Sequence, residues 1–502
     1  MDGAVRRWAS LGVVNGDPTV LLGAEGQELL ARVAAEIVSG GGGSLAVGTR
    51  LRREYPAELV AAAMAQGELR LAARAKFSRA ADMLFTRAGY EQSSSEPVAR
   101  YRAARFGAAR RVADLCCGIG GDLVALAAGR EALAVDRDIT HARLAVHNAG
   151  VYGVAANVRA VAVDVREPRF GGLDAVFIDP ARRAGSRRFA AGDSEPPLAW
   201  CFALADVVPG VCVKAAPGLP AELIPDGWEA EFVADGRDLK EAVLWSGALA
   251  GTARRATVLT AAPGGPDQID AHPTGPQPDG PARAGARMPG AVAVDPVLAG
   301  VHTISPAPGD PVPAGVHTVS PAPGDTVPAG VHTMSPAPDD PVPAGVHTMS
   351  PAPGDPVPGG VHTMSLVPGD PVPVAAPGEY LLDPNPAVTR AGLVEDLARA
   401  LSGAAGGAAK IDPRIAFLTA ERPVRTPFAR TLRVLDSAPW NEKRFAVRLR
   451  ELDIGAVDIR RRGLAGDVDA IRRRLKPAGS RRATVVITRV NDQPWGLVCV
   501  EP

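Results

Sequence analysis

Between Ala299 and about Val374 the chain copies a fifteen-residue unit, AGVHTISPAPGDPVP, whose GVHT element recurs at Gly300, Gly315, Gly330, Gly345 and Gly360. One continuous fold through all 502 residues is thereby excluded. Solenoid repeats need apolar faces that neighbouring units bury together. These units contain no aromatic residue, Lys, Arg or Glu, and their prolines remove backbone donors and favour extended chain. Such a tract cannot recover its ordering entropy, so it reads as a disordered linker, running from 261 to 377 once the flanking Pro/Gly-rich sequence is included. Its five histidines, His302, His317, His332, His347 and His362, are copies of one duplicated residue. Ligands fifteen residues apart on a floppy chain pay a large closure cost, so no metal site is expected.

The linker divides the chain into regions of different style. Residues 1–108 read as a helical extension, with apolar spacings of three and four in LLGAEGQELLARVAAEIV and PAELVAAAMAQGELRLAARAKFSRAADMLF. From 109 to 260, short apolar runs (RRVADLC, EALAVD, VRAVAV, LDAVFID, GVCVKA, AEFVA, AVLWSG, ATVLTA) read as strands, the earlier ones separated by helices. That alternation predicts an α/β doubly wound, mostly parallel sheet. Residues 378–502 read as a small separate α/β or α+β unit. It is basic, with 20 Lys and Arg against 11 Asp and Glu from Lys410 onward, and it masks a formal net charge of zero for the whole chain. Arg460, Arg461, Arg462, Arg472, Arg473, Arg474, Lys476, Arg481 and Arg482 fall within 23 residues, the electrostatic footprint of nucleic-acid binding. No apolar run is long enough to span a membrane, and the amino terminus lacks a signal-like core. Five scattered cysteines give neither a disulfide framework nor a zinc spacing, so a reduced, cytoplasmic protein is expected.

The chemistry concentrates after the first strand. In VADLCCGIGGDL, residues 112–123, a strand ends at Asp114, Gly118 and Gly120 let backbone approach a ligand, and a helix is expected from about Gly121. Asp136 closes the second strand, where a carboxylate can accept both hydrogen bonds of a ribose diol. Asp164 closes the third, suited to an adenine amine, and Asp179 the fourth, in VFIDPAR. All four lie at the carboxyl ends of strands, the edge where open α/β sheets bind ligands. A nicotinamide dinucleotide fits worse, because the third glycine of its loop would stand where Leu123 is.

With NAGVYG and IDPAR, the segment 112–182 resembles class I S-adenosylmethionine-dependent methyltransferases, and within them RNA methyltransferases of the trimethylguanosine synthase-like group. The whole architecture resembles actinobacterial proteins with a Rossmann-like methyltransferase domain and a carboxy-terminal THUMP-like domain, through MLFTRAGYEQSSSEPVARYRAARF, LDPNPAVTRAGLVEDLARAL, KIDPRIAFLT and RTPFAR. The resemblance implies S-adenosyl-L-methionine as cofactor, held by Asp114, Cys116, Gly118, Gly120, Asp136 and Asp164. Cys116 departs from the usual glycine, and a small side chain still satisfies that position. RNA, a tRNA or rRNA, is the implied partner. An exocyclic amine is the favoured acceptor, since an Asp-Pro turn can accept its hydrogen bond and aim its lone pair; Asp179 and Pro180 are the candidate catalytic residues. Ala181 and Arg182 replace the second proline and aromatic usual in amino-methylating enzymes. Phe85, Arg87, Arg182 and Lys214 are candidate substrate-binding residues. Two alternatives remain: C5 methylation of a pyrimidine with Cys212 as nucleophile, and a non-catalytic RNA-binding module. The oligomeric state is not legible.

Overall fold

The structure is a computed structural model and describes residues 17–39, 44–167, 170–181, 183–184, 187–188, 193–260 and 360–502. The amino-terminal region folds as helices α1 (Ala24–Ser39), α2 (Ser44–Leu51), α3 (Ala57–Ala73), α4 (Arg87–Gln92) and α5 (Glu96–Ala104). On α1, Leu29, Leu30 and Val33 recur at helical spacing and are buried against Val60 and Ala63 of α3. The same core takes in Met83, Leu84 and Phe85 and extends to Ile119 and Leu144 beyond the first strand. The extension is therefore fused to the following domain rather than tethered to it.

A nine-stranded sheet carries the centre of the molecule. Its strands are β1 (Arg111–Leu115), β2 (Glu131–Asp136), β3 (Val158–Ala162), β4 (Ala175–Ile178), β5 (Gly210–Ala215), β6 (Glu229–Asp235), β7 (Asp238–Gly247), β8 (Arg254–Thr260) and β9 (Gly360–Ser365), in the spatial order β9-β8-β6-β7-β5-β4-β1-β2-β3. β3, β2, β1, β4 and β5 run parallel, β7 is antiparallel to both β5 and β6, and β8 is parallel to β6. Helix α6 (Leu123–Leu126) follows β1 and α7 (Ile139–Val151) follows β2, as βαβ crossovers require. α8 (Leu198–Ala203) precedes β5. Strands buried on both faces read as continuous apolar runs, and β4 and β5 are buried at every position.

β9 corrects the expected linker. Residues 360–365 are the fifth copy of the repeat, yet they pair antiparallel with β8 from Thr260↔Gly360 to Arg255↔Ser365. Met364 is buried at 1% exposure. The first four copies follow their serine with Pro306, Pro321, Pro336 and Pro351; the fifth has Leu366. The Leu366 N–H donates to the Arg254 carbonyl at 3.0 Å. A proline has no hydrogen to give, so this bond depends on one of the positions at which the fifth copy departs from the repeated sequence. Val367 N–H continues the attachment by donating to Asp396 at 2.9 Å. His302, His317, His332 and His347 lie outside the described residues; His362 lies on β9, its Nε2 3.1 Å from the Thr260 hydroxyl.

The carboxy-terminal region forms a seven-stranded sheet from β10 (Tyr380–Pro384), β11 (Ala408–Lys410), β12 (Leu418–Ala420), β13 (Ala429–Pro439), β14 (Ile454–Arg461), β15 (Arg481–Val490) and β16 (Gln493–Val500), in the order β11-β12-β10-β13-β16-β15-β14. All its pairs are antiparallel except β14 with β15. Helices α9 (Pro386–Ala391), α10 (Val394–Ala405), α11 (Glu442–Glu451) and α12 (Val468–Leu475) complete it. This region is not separate from the first sheet, as the sequence suggested. One hydrophobic core holds Val211, Val213, Phe232, Ala234 and Val258 together with Met364, Val372, Leu382, Val388, Leu393 and Leu397. No helix among the described residues is long and apolar enough to cross a membrane.

Candidate active site

Where β1 ends, the chain turns through residues 116–121. Cys116 has a left-handed backbone, φ 62°, as do Gly118 at 52° and Gly120 at 82°. The usual preference for glycine at the first of these positions follows from that φ, which costs an L-residue about 1–2 kcal/mol. Gly118 faces open space, so a Cβ there would project into the cavity described below, whereas one on Gly120 would meet Ala145 Cα of α7 at 3.0 Å. Gly120 thus seats the loop on α7 and is absent from the cavity lining, unlike the cofactor contact expected of it. The helix after the loop is one turn, Leu123–Leu126, so loop backbone rather than a helix terminus forms the cradle.

The loop opens on a cavity of about 560 Å³ at the carboxyl ends of β1, β2 and β4. Asp114, Cys116, Gly118, Asp136, Asp164, Asp179 and Pro180 all line it, so seven sequence-selected residues meet at one place. Asp114 is 1% exposed and neither carboxylate oxygen has a hydrogen-bond partner among the described residues. Burial raises its pKa well above the ordinary 3.8, and the neighbouring carboxylates of Asp122 and Asp179 push the same way. Leaving such a group unpaired costs about 1–3 kcal/mol or more, and it stands in the lining of the cavity.

Asp136 is held from two sides, accepting from Gly118 N–H at 2.8 Å and Asp138 N–H at 2.9 Å, with His141 Nδ1 at 3.6 Å. Burial alone would raise its pKa, but His141 and these backbone donors outweigh it and hold the carboxyl below its usual range. Asp164 follows β3 and is paired with Arg166 at 2.6 Å, which lowers its pKa to about 2. Arg166 also reaches Glu195 at 2.9 Å.

Asp179 follows β4, and its Oδ2 accepts from Lys214 Nζ at 2.6 Å. Lys214 is 6% exposed, on β5, and also donates to the Ser94 hydroxyl at 3.1 Å. Burial would discharge the lysine; Asp179, Asp122 and Glu241 outweigh that and raise its pKa. Below lies Arg102, fully buried and paired with both Asp122 and Glu241. Lys214 is absent from the lining of the cavity, and what it holds there is the Asp179 carboxylate.

Three other expectations change. Phe85 is 1% exposed, packed near Phe77 and Tyr90 at 6.0 and 6.2 Å, and forms core rather than substrate pocket. Arg87 is exposed at the start of α4 and outside the lining, whereas its neighbours Ala88, Gly89, Glu91, Gln92 and Ser93 form one wall. Cys212 is fully buried inside β5 and away from the cavity; burial pushes its thiol well above the ordinary 9.0, which removes it as a nucleophile. Arg182 lies outside the described residues.

Sequence reasoning missed His141 and Glu195, both in the lining. His141 stands one turn into α7, five residues after Asp136, a spacing that places it on the acid. Glu195 carries no sequence signal, because a two-way backbone pairing with Ala181 across the intervening loop brings it to the Asp179–Pro180 turn.

Residues 109–197 match the family model described as RNA cap guanine-N2 methyltransferase, residues 429–501 the model described as THUMP domain-like, and residues 18–73 a domain of unknown function. An uncharacterised S-adenosylmethionine-dependent methyltransferase, present in two strains of Mycobacterium tuberculosis, is 32% identical over 422 residues, 81% of this chain and 85% of that protein. A crystal structure from Porphyromonas gingivalis W83, of a protein described as a methyltransferase, superposes with a TM-score of 0.57 at 17% identity, covering 89% of this chain and 92% of that one; it supports the fold.

Proposed function

This chain belongs to the S-adenosylmethionine-dependent methyltransferases, and from that premise we propose that it methylates a base of an RNA, a tRNA or rRNA, at an exocyclic amine in the cytoplasm. The observation that carries the acceptor chemistry is the Asp179 carboxylate, pinned on one oxygen by Lys214 and facing the same cavity as the unpaired Asp114. The RNA part is supported by the likeness of residues 109–197 to RNA cap guanine-N2 methyltransferases and of 429–501 to THUMP domains.

The residues present fit the cofactor. Asp114, buried and without a donor, suits the cofactor's ammonium group; Asp136 suits a ribose diol, since each of its oxygens has accepted one backbone hydrogen bond and retains a lone pair. Gly118 leaves room for a close approach. Asp164 is the residue on the adenine side, where an amine would share its carboxylate with Arg166. When bound, the cofactor supplies an electrophilic methyl group on a sulfonium.

The protein's task is alignment more than acid–base chemistry. Lys214 occupies Oδ2 of Asp179, leaving Oδ1 to accept from the acceptor amine and turn its lone pair inward. Pro180 fixes the backbone of that turn, and Ala181, tied to Glu195 by hydrogen bonds of 2.8 and 2.9 Å, closes the loop behind it. Ala88, Gly89, Glu91, Gln92 and Ser93 of the helical extension close the opposite wall and help exclude water.

Incubating the protein with labelled S-adenosylmethionine and, separately, total RNA, protein extract and small molecules tests the reading. Label should enter RNA and vanish with Asp179→Ala, while calorimetry shows cofactor binding retained. Label in protein or small molecules alone would refute the RNA substrate. Cofactor and RNA binding without transfer would instead favour the non-catalytic module that the Asp179-Pro180-Ala181-Arg182 turn allows.

A further inference from the structure

A second cavity, of about 350 Å³, lies at the seam between the two sheets, lined by Arg237, Asp383, Pro386, Phe417, Arg460, Arg461 and Arg462. Arg237 comes from the β6–β7 turn of the first sheet, Asp383 from β10, and the three consecutive arginines from the end of β14. The turn is locked in place because Asn385, fully buried, donates to the Gly236 carbonyl at 2.8 Å. Four arginines and one carboxylate thus line the same cavity. That carboxylate is 3% exposed and divided between two of them, with Oδ2 on Arg237 at 2.8 Å and Oδ1 on Arg462 at 2.9 Å.

Asp383 therefore orients two arginines and neutralises only one charge. Arg460 is exposed and paired with Asp458 at 3.1 Å. Arg461 is exposed, donates to the Leu464 carbonyl at 2.6 Å, and has no carboxylate partner among the described residues. Burial depresses the pKa of Arg237; Asp383 opposes this, and Arg460, Arg430 and Arg462 add to the depression. The cluster carries more positive charge than its own acids relieve.

Strand direction places this charge. β6 runs parallel to β8 and antiparallel to β7, which is itself antiparallel to β5, so β6 ends on the same edge of the sheet as β1, β4 and β5. Along that edge β6 is three strands from β4, roughly 14 Å at ~4.8 Å per strand. A nucleic acid strand whose base enters at Asp179 would reach the arginines within a few nucleotides.

We propose that this cavity is a phosphate clamp that grips the RNA backbone a few nucleotides from the modified base, with Arg461 and Arg460 as the ligand-facing cations and Arg237 and Arg462 set by Asp383. The proposal rests on RNA being the substrate. It divides the basic stretch seen in the sequence: Arg460–Arg462 serve the clamp, whereas Arg472 and Arg474 are engaged on α12 with Asp469 and Glu442.

The test uses the full chain and a fluorescently labelled single-stranded RNA. Arg460→Ala/Arg461→Ala should weaken binding about tenfold or more and flatten the slope of log affinity against log salt by ~1.4, from about 0.7 per lost phosphate contact. The KM for RNA should rise with kcat kept, and cofactor affinity and thermal midpoint should not change. Arg52→Ala/Arg53→Ala, two exposed arginines on the helical extension, should leave affinity and slope as in the wild type. Wild-type affinity and slope in the clamp variant would overturn the clamp while leaving RNA methylation standing. A clamp-dependent slope without methyl transfer to RNA would leave the arginines as an RNA contact but end the proposed function, and with it the clamp's place beside a modified base. A wild-type protein that binds no RNA would end both.

Discussion

Asp114 concentrates the residue-scale consequences of this site. A buried acid whose folded pKa lies above its unfolded value stabilises the fold most when protonated. Its contribution is full below about pH 4 and is lost as pH climbs from the ordinary 3.8 toward the raised folded value. Asp114→Asn removes that penalty. The cofactor-free variant should therefore gain stability over the wild type, by a margin growing with pH above 4, in urea titrations run across pH. Its affinity for S-adenosylmethionine should fall about tenfold or more, since a charged hydrogen bond contributes about 1.5–3 kcal/mol. Asp136→Ala strips the acceptor from Gly118 and Asp138 as well as from the ligand. A calorimetric loss of about 2–3 kcal/mol in cofactor binding is expected, and an unchanged affinity would contradict the assignment. These acids were legible because their spacing follows strand ends. Gly120 looked equivalent to Gly118 in the sequence, and only the approach of Ala145 distinguishes them.

At the scale of elements, the strands of the first sheet were readable because buried parallel strands are unbroken apolar runs bounded by turns. The burial of Phe85 is hidden for a related reason: an aromatic beside a site and an aromatic inside a core carry the same local signal. β9 shows where such reading stops. GVHTMS is a weak strand by composition, and its partner β8 supplies both the hydrogen bonds and the apolar slot for Met364. Leu366→Pro, which makes the fifth copy resemble the other four, should remove the bond to Arg254 and cost about 1–3 kcal/mol by denaturant midpoint. Met364→Ala should cost about 2–5 kcal/mol through the cavity it leaves. A neutral result for both would mean that β9 adds nothing to the sheet.

Over the whole molecule, Thr260 and Gly360 are paired neighbours, so residues 261–359 close a single connection between adjacent antiparallel strands. Replacing them with a four-residue turn should keep the fold and stabilise it by about 3 kcal/mol, at ~0.6 kcal/mol per halving of loop length. A thermal midpoint below the wild type would show that the tract contributes contacts of its own. Residues 1–260 expressed alone should be poorly stable, because Phe232, Ala234 and Val258 share their core with Leu382, Val388 and Leu397. Local pattern and composition sufficed for the helical extension, the parallel sheet, the four acids at its rim and the basic character of the carboxy-terminal region, since each depends on residues near one another in the chain. Tertiary structure alone decided that one repeat copy is a strand, that the two sheets share a core, that Lys214 holds Asp179, and that Arg237 meets Arg460–Arg462. Those pairings join residues 35 to more than 200 positions apart, and no periodicity records which distant surfaces bury each other.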